Sequence, residues 1–422
     1  MTVTQAPRMQ PAYRALPARL GLMIWLGFFV FGVWFATMGL VLGSHGMGMI
    51  IGDAYLLSAV AAILSPLLLG AIGDRFLPPR TVLALAHLAG ALAMAGVPLA
   101  VAGGNRAAVL GLIFAHMLFF QPTLGLSNAY ALAVLGERQS IFPYVRAFGL
   151  LGWVMAGFAM GALGLSASTG VFYAASGAGL VMAAYAMTLP RTPPPAKGAR
   201  FSPGDLIGVQ ALVLFRDRRF SVLMGCALMT SISLGIYNGF ASPFLGALGI
   251  ANVAGVLALG QVSEVIFVVT IPFVLKRIGM KWALFTGMAM WGLRFALFLG
   301  AGHGSRELAV VGVALHGICN DYFMVVSAMF IARIVPAELA AQAQGWLILM
   351  ISGFGQAIGS AVSGHIYATA IAPHPEAGPM AWDALWYVPM ALAAVTAAVW
   401  TLFFPSKSAR IAQAAKRAMH DS

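Results

Sequence analysis

The chain has 422 residues, of which 61% are hydrophobic and 9% charged, whereas soluble domains carry roughly 25% charged residues. With a mean hydropathy of +0.90 this excludes a soluble enzyme or scaffold and defines an integral membrane protein. The formal charge of +12 does not imply a nucleic-acid partner, because the Lys and Arg side chains fall in short loops rather than on one solvated face.

The first 18 residues hold Arg8 and Arg14 but no apolar core of signal-peptide length. The apolar run that follows has no small-residue cleavage pattern behind it and is read as a retained first helix. Apolar runs then recur to the end of the chain, each long enough to cross a hydrocarbon layer of about 30 Å as a helix. Twelve are predicted, over 20–42, 54–73, 81–102, 107–135, 143–165, 169–189, 220–246, 252–275, 282–301, 308–334, 341–370 and 382–404.

Of the 24 Lys and Arg residues, 20 lie at the ends and in alternate loops that share one side, two (Arg106 and Arg306) on the other side, and two (Arg146 and Arg294) within spans. The positive-inside rule therefore predicts that both termini are cytoplasmic. "RTPPPAKGARFSPGD", Arg191 to Asp205, is the longest polar interruption, and its prolines prevent a continuous helix. It divides the chain into an all-α pair of bundles: six helices in 1–190, a cytoplasmic loop over 191–219, six helices in 220–404, and a basic tail over 405–422. "GAIGDRFLPPR" and "FVLKRIGMK" occupy corresponding places in the two halves, a weak internal repeat that predicts a cleft between bundles. Glycine-rich runs such as "GFGQAIGSAVSG" fit close helix packing.

Removing the loop charges leaves Arg146, Glu264, Arg294 and Asp321 at membrane depth, with His87, His116, His316 and His365 and the amides Gln121, Asn128, Asn238, Gln261, Asn320 and Gln356. Ionised groups in hydrocarbon are costly and are kept where they have a partner or face water. Gln261 and Glu264 are three apart and share a helix face. Asn320 and Asp321 interrupt the tenth span and Asn238 the seventh, so three helices bring polar groups to the second bundle. The structural alternatives are plain: the two acids tied to Arg294, Arg146 snorkelling to the interface, the histidines satisfying local hydrogen bonds. Trp34, Tyr237, Tyr322 and Phe323 neighbour these positions and could stack on a ring-bearing solute or merely pack. Cys226 and Cys319 lie in apolar runs and read as buried thiols, so no disulfide framework, metal site or cofactor is expected.

With these residues in hand, the chain resembles the major facilitator superfamily and, within it, the nucleoside:proton symporter family. "GDRFLPPR" is a degenerate form of the superfamily loop motif. The narrower resemblance rests on "PTLGLSNAY", "GQVSEVIFVVTIPFVLKRIGMK", "WGLRFALFLG", "HGICNDYF" and "AQAQGWLILMISGFG", in order and at matching helix positions. It implies a substrate site on Arg146, Asn238, Gln261, Glu264 and Asp321; Trp34, Asn128, Tyr237, Asn320 and Tyr322 are secondary candidates by their polar or aromatic character at membrane depth. Three positions depart from the family pattern: Leu150 stands where a threonine is expected, Gly235 where a glutamine is, and Asn320 where an aromatic is.

The resemblance implies proton-coupled uptake of nucleosides by alternating access, by a monomer in a bacterial inner membrane whose partners are the solute, protons and lipid. Glu264 or Asp321 would carry the proton, because an occluded cleft favours a protonated acid and a hydrated one releases it. The alternative is transport of another small solute: an aromatic acid, a sugar or a drug-like molecule. An enzyme is not expected, since no HExxH, Gly-x-Ser-x-Gly or phosphate-loop pattern is present.

Overall fold

The computed structural model describes residues 15–194 and 209–405, with the side chains of 66–75 and of residue 337 excepted. Arg8, Arg14, Lys197, Arg200 and the basic tail lie outside the described residues, as does most of the proline-rich loop. Everything described is helix and short connection. A backbone in lipid must satisfy its own polar groups, and only the helix does this within one apolar segment.

Among the described residues, nine helical stretches are long and apolar enough to cross a membrane. Two of them are double length, 57 residues from Arg106 to Ala162 and 50 from Val253 to Gly302. The helices in order are α1 (Leu16–Gly32), α2 (Met38–Ser44), α3 (Ile51–Phe76), α4 (Pro79–Ala102), α5 (Arg106–Leu135), α6 (Phe142–Ala162) and α7 (Gly170–Thr188). After the central loop come α8 (Arg218–Ala247), α9 (Val253–Gly302), α10 (Glu307–Ala314), α11 (His316–Asn320), α12 (Val326–Ile334), α13 (Ala337–Ile348), α14 (Gln356–Ile366) and α15 (Asp383–Phe403).

Local chemistry sets the ends. Asn105, Asp217 and Asn252 cap α5, α8 and α9 by accepting from the backbone N–H groups of Ala108, Arg219 and Gly255 at 3.0, 2.8 and 2.9 Å. Within α9, Gly279 adopts φ 73°, a left-handed conformation that only glycine enters cheaply, and this breaks the 50-residue element in two. Widened π turns at Asp321–Val325, Leu349–Gly355 and Tyr367–Ile371 interrupt the later helices.

Contacts divide the chain into two units, Met1–Thr37 with Leu64–Arg200, and Met38–Ile63 with Phe201–Ser422. The division differs from the one expected at the central loop, since 38–63 groups with the second unit. The first predicted span is correspondingly not one helix: α1 ends at Gly32, turns follow over 33–37, and α2 begins at Met38. Beyond the break the chain has new partners. The Leu40 N–H donates to Ser242 Oγ at 3.3 Å, and Gly52 lies so close to α14 that a Cβ there would meet Gly364 Cα at 2.6 Å.

Unit one is held by an aromatic core in which Trp34 is fully buried, edge-on to His116 at 5.2 Å and close to Phe172. At its basic end Arg80 donates to the Leu189 carbonyl at 2.8 Å and Arg19 to that of Thr188, satisfying the last carbonyls of α7.

Candidate functional site

Glu264, His316 and Asn320 of unit two meet where α9 packs on α11. Gly317 lies against the backbone of Ser263, with no room for a Cβ, and its N–H donates to Ser263 Oγ at 2.8 Å while that hydroxyl donates to the Gly260 carbonyl at 2.6 Å. Backbone-to-backbone contact of this kind sets the neighbouring side chains. Asn320 Nδ2 donates to Glu264 Oε1 at 2.8 Å and lies 2.8 Å from His316 Nε2, which itself is 3.3 Å from the same carboxylate oxygen. His316 Nε2 thus faces both the Asn320 amide and the Glu264 carboxylate, its bonding set by the ring tautomer, while Nδ1 is buried with no hydrogen-bond partner among the described residues. A doubly protonated ring would form an ion pair with Glu264. Gly317→Ala should therefore force α9 and α11 apart and destabilise the fold by about 1–3 kcal/mol, measured by thermal unfolding, with a loss of uptake beyond the loss of folded protein.

Below this cluster the Tyr237 ring stacks on His316 with centroids 5.3 Å apart. Arg294, 0% exposed, places its guanidinium over the Tyr237 and Trp291 rings at 4.3 and 4.7 Å, and its Nε donates to the Gly312 carbonyl at 2.9 Å. Arg294 is held by rings and backbone carbonyls, and no salt bridge joins it to Glu264 or Asp321 among the described residues, so the alternative in which it ties the two acids does not hold. It serves as a charged underpinning to the Tyr237–His316 stack.

Asp321 opens the π turn and is buried, and its Oδ2 has no hydrogen-bond partner among the described residues. A buried carboxylate oxygen without a partner is uncommon, and π turns of this kind recur at functional sites. Asn238 Nδ2 donates to Gln356 Oε1 at 2.9 Å, tying α8 to α14. Gln261 is half-buried three residues before Glu264.

Four other candidates have surroundings of their own. The Tyr322 hydroxyl is 2.7 Å from Thr270 Oγ1 and its ring is edge-on to Phe267, so Tyr322 packs rather than presenting a free face. Trp34, in the aromatic core of unit one, is likewise a packing residue. Arg146 on α6 is exposed, and Asn128 on α5 is half-buried, both in unit one.

Two residues acquire roles that composition did not predict. His316 and Asn320 are four apart in "HGICN", a spacing that puts both on one helix face, but only the contact with α9 reveals that they share Glu264. Gln356 explains the departure at Gly235. A Cβ at Gly235 would meet the Gln356 carbonyl oxygen at 2.7 Å and its Cα at 2.9 Å, so α8 has no room for the expected glutamine. The amide beside Asn238 comes instead from the neighbouring helix.

The described residues form a multi-pass helical protein with a buried carboxylate–amide–imidazole cluster. Comparison with known proteins specifies the class. The family model of the nucleoside H+ symporters matches residues 15–409, and the chain belongs to that family. It is 30% identical over 393 residues to the xanthosine permease of Escherichia coli K12, covering 89% of this chain and 92% of that protein. It is 26% identical to the nucleoside permease NupG of the same strain, over 96% of this chain and 100% of NupG. The crystal structure of nucleoside transporter NupG superposes with a TM-score of 0.82 at 26% identity, covering 93% of this chain and all of that one. The membership makes this chain a proton-coupled nucleoside transporter.

Proposed function

We propose that the cluster around Glu264 is the nucleoside site and that Asp321 is the coupling acid of a proton-driven importer. The observation that carries this reading is the asymmetry of the two carboxylates. Glu264 Oε1 already receives Asn320, with His316 close by, an arrangement that holds the carboxylate in one orientation and leaves Oε2 for a donor such as a ribose hydroxyl. Asp321 Oδ2 has no such support, so it is the oxygen that gains most from a proton.

The amides Gln261, Asn238 and Gln356 would read base edges and hydroxyls, since each offers both a donor and an acceptor. Arg146, exposed and with no ion pair among the described residues, is the remaining proposed substrate contact. In this reading α5 and α6 cross the membrane separately, as do the two parts of α9 on either side of Gly279. Counting α1 with α2 as the first crossing, that makes twelve in a six-plus-six arrangement, with both termini in the cytoplasm, and the protein works as a monomer in a bacterial inner membrane. Alternating access would carry the solute and the proton together.

Uptake of radiolabelled uridine into proteoliposomes, challenged by unlabelled solutes, tests the substrate. Adenosine and uridine should compete, while xylose and benzoate at the same concentration should leave the signal unchanged. Competition by benzoate or xylose but not by nucleosides would transfer the site to an aromatic acid or a sugar.

A further inference from the structure

A polar cavity lies in unit two at the end that the charge distribution predicts is cytoplasmic, and Glu264 is not among its lining residues. It has a volume of about 1140 Å³ and is lined by five cationic side chains, Arg219, Lys276, Arg277, Lys281 and Arg333. No carboxylate lines it among the described residues. The reversal at Gly279 is what gathers the charges, because it returns the chain so that Lys276 and Arg277 on one side of the turn and Lys281 on the other face the same space.

The charges are poorly compensated. Arg219 is paired with Asp217 at 2.6 Å, and this hydrogen-bonded partner holds the Asp217 carboxyl below its ordinary range. Lys281 Nζ donates to the Phe404 carbonyl at 3.1 Å and lies 5.9 Å from the Phe404 ring centroid. Lys276, Arg277 and Arg333 have no ion pair among the described residues. Like charges gathered in one cavity repel, so the arrangement is stable only if hydrated or if an anion offsets it.

The rest of the lining says which anion. Trp282, Phe330 and Phe404 form an apolar wall. On the same helix as the basic cluster, Phe273, Ile278 and Trp282 are 71%, 44% and 50% exposed, an apolar surface suited to acyl chains with an indole at interface depth. A soluble phosphate would have no use for that surface.

We propose that this cavity binds the phosphate of an anionic phospholipid, with its acyl chains along the exposed face of α9 and its headgroup among Lys276, Arg277 and Arg333. Basic pockets on the cytoplasmic side of membrane helices have the chemistry for this. The site is independent of the solute and of the assignment of Glu264.

Native mass spectrometry of the full-length protein, titrated with phosphatidylglycerol, phosphatidylcholine or inorganic phosphate, tests the proposal. Phosphatidylglycerol should bind in preference to the other two. Since each basic group near the surface multiplies affinity several-fold, the Lys276→Gln, Arg277→Gln, Arg333→Gln variant should bind it on the order of a hundredfold more weakly. An Arg277→Lys, Arg333→Lys variant keeps the charge and should keep the preference. Equal binding of the two lipids, or a preference unchanged in the triple variant, would overturn the proposal and leave these charges to membrane topology alone. Saturation by inorganic phosphate at the same concentrations would overturn the lipid in favour of a soluble anion.

Discussion

Proteoliposomes bearing Glu264→Gln will take up uridine about 10- to 100-fold more slowly than the native protein at subsaturating solute, because hydrogen bonds to charged groups contribute about 1.5–3 kcal/mol each. The substitution preserves side-chain shape, and the remaining carbonyl oxygen can still accept from Asn320 Nδ2, now 2.8 Å from Glu264 Oε1. Fold and thermal stability should therefore change little. What disappears is the negative charge at the second oxygen, the one left free for the solute. The effect should fall on KM as well as on maximal rate, since a contact made in the loaded ground state is lost. Native-like kinetics in this variant would remove Glu264 from the site.

Asp321→Asn should separate binding from coupling. Exchange of labelled for unlabelled uridine across the membrane should persist, while accumulation driven by a proton gradient should vanish. One proton coupled to one pH unit is worth about 1.36 kcal/mol, a tenfold concentration ratio. The native protein should therefore accumulate uridine about tenfold for a one-unit gradient, and the variant should stop near equality. The pH dependence has a definite sign. A carrier that must load its proton outside and release it inside works faster as the outer pH falls, and the variant, whose amide at this position has no proton to exchange, should give a flat profile. Tenfold accumulation by the variant would move the coupling role to Glu264.

How much of this was readable from the chain depends on the kind of interaction. Glu264 and Asp321 stood out because ionisable groups are rare in lipid, an argument that needs no partner. The helices followed from continuous apolar length. Pairing between helices did not follow. Asn320 looked like a lost stacking surface, yet it is the amide that orients Glu264, because Gly317 lets α11 touch α9. Gly235 looked like a lost hydrogen-bonding group, yet its missing side chain makes room for Gln356, which bonds Asn238. Nothing in the sequence told an ion pair at Arg294 from packing, and aromatic rings hold it. The break after Gly32 was hidden for a related reason: "VWFAT" is apolar enough for a span, and only the change of packing partners at Met38 ends the helix.

The central claim, that nucleoside and proton move together, is tested most directly by trapping a pH-sensitive dye in proteoliposomes and adding uridine outside with no imposed pH gradient. Internal acidification should depend on uridine, be absent with xylose, and be lost in Asp321→Asn. Entry of uridine with no acidification in the native protein would contradict it and leave a facilitator in place of a symporter.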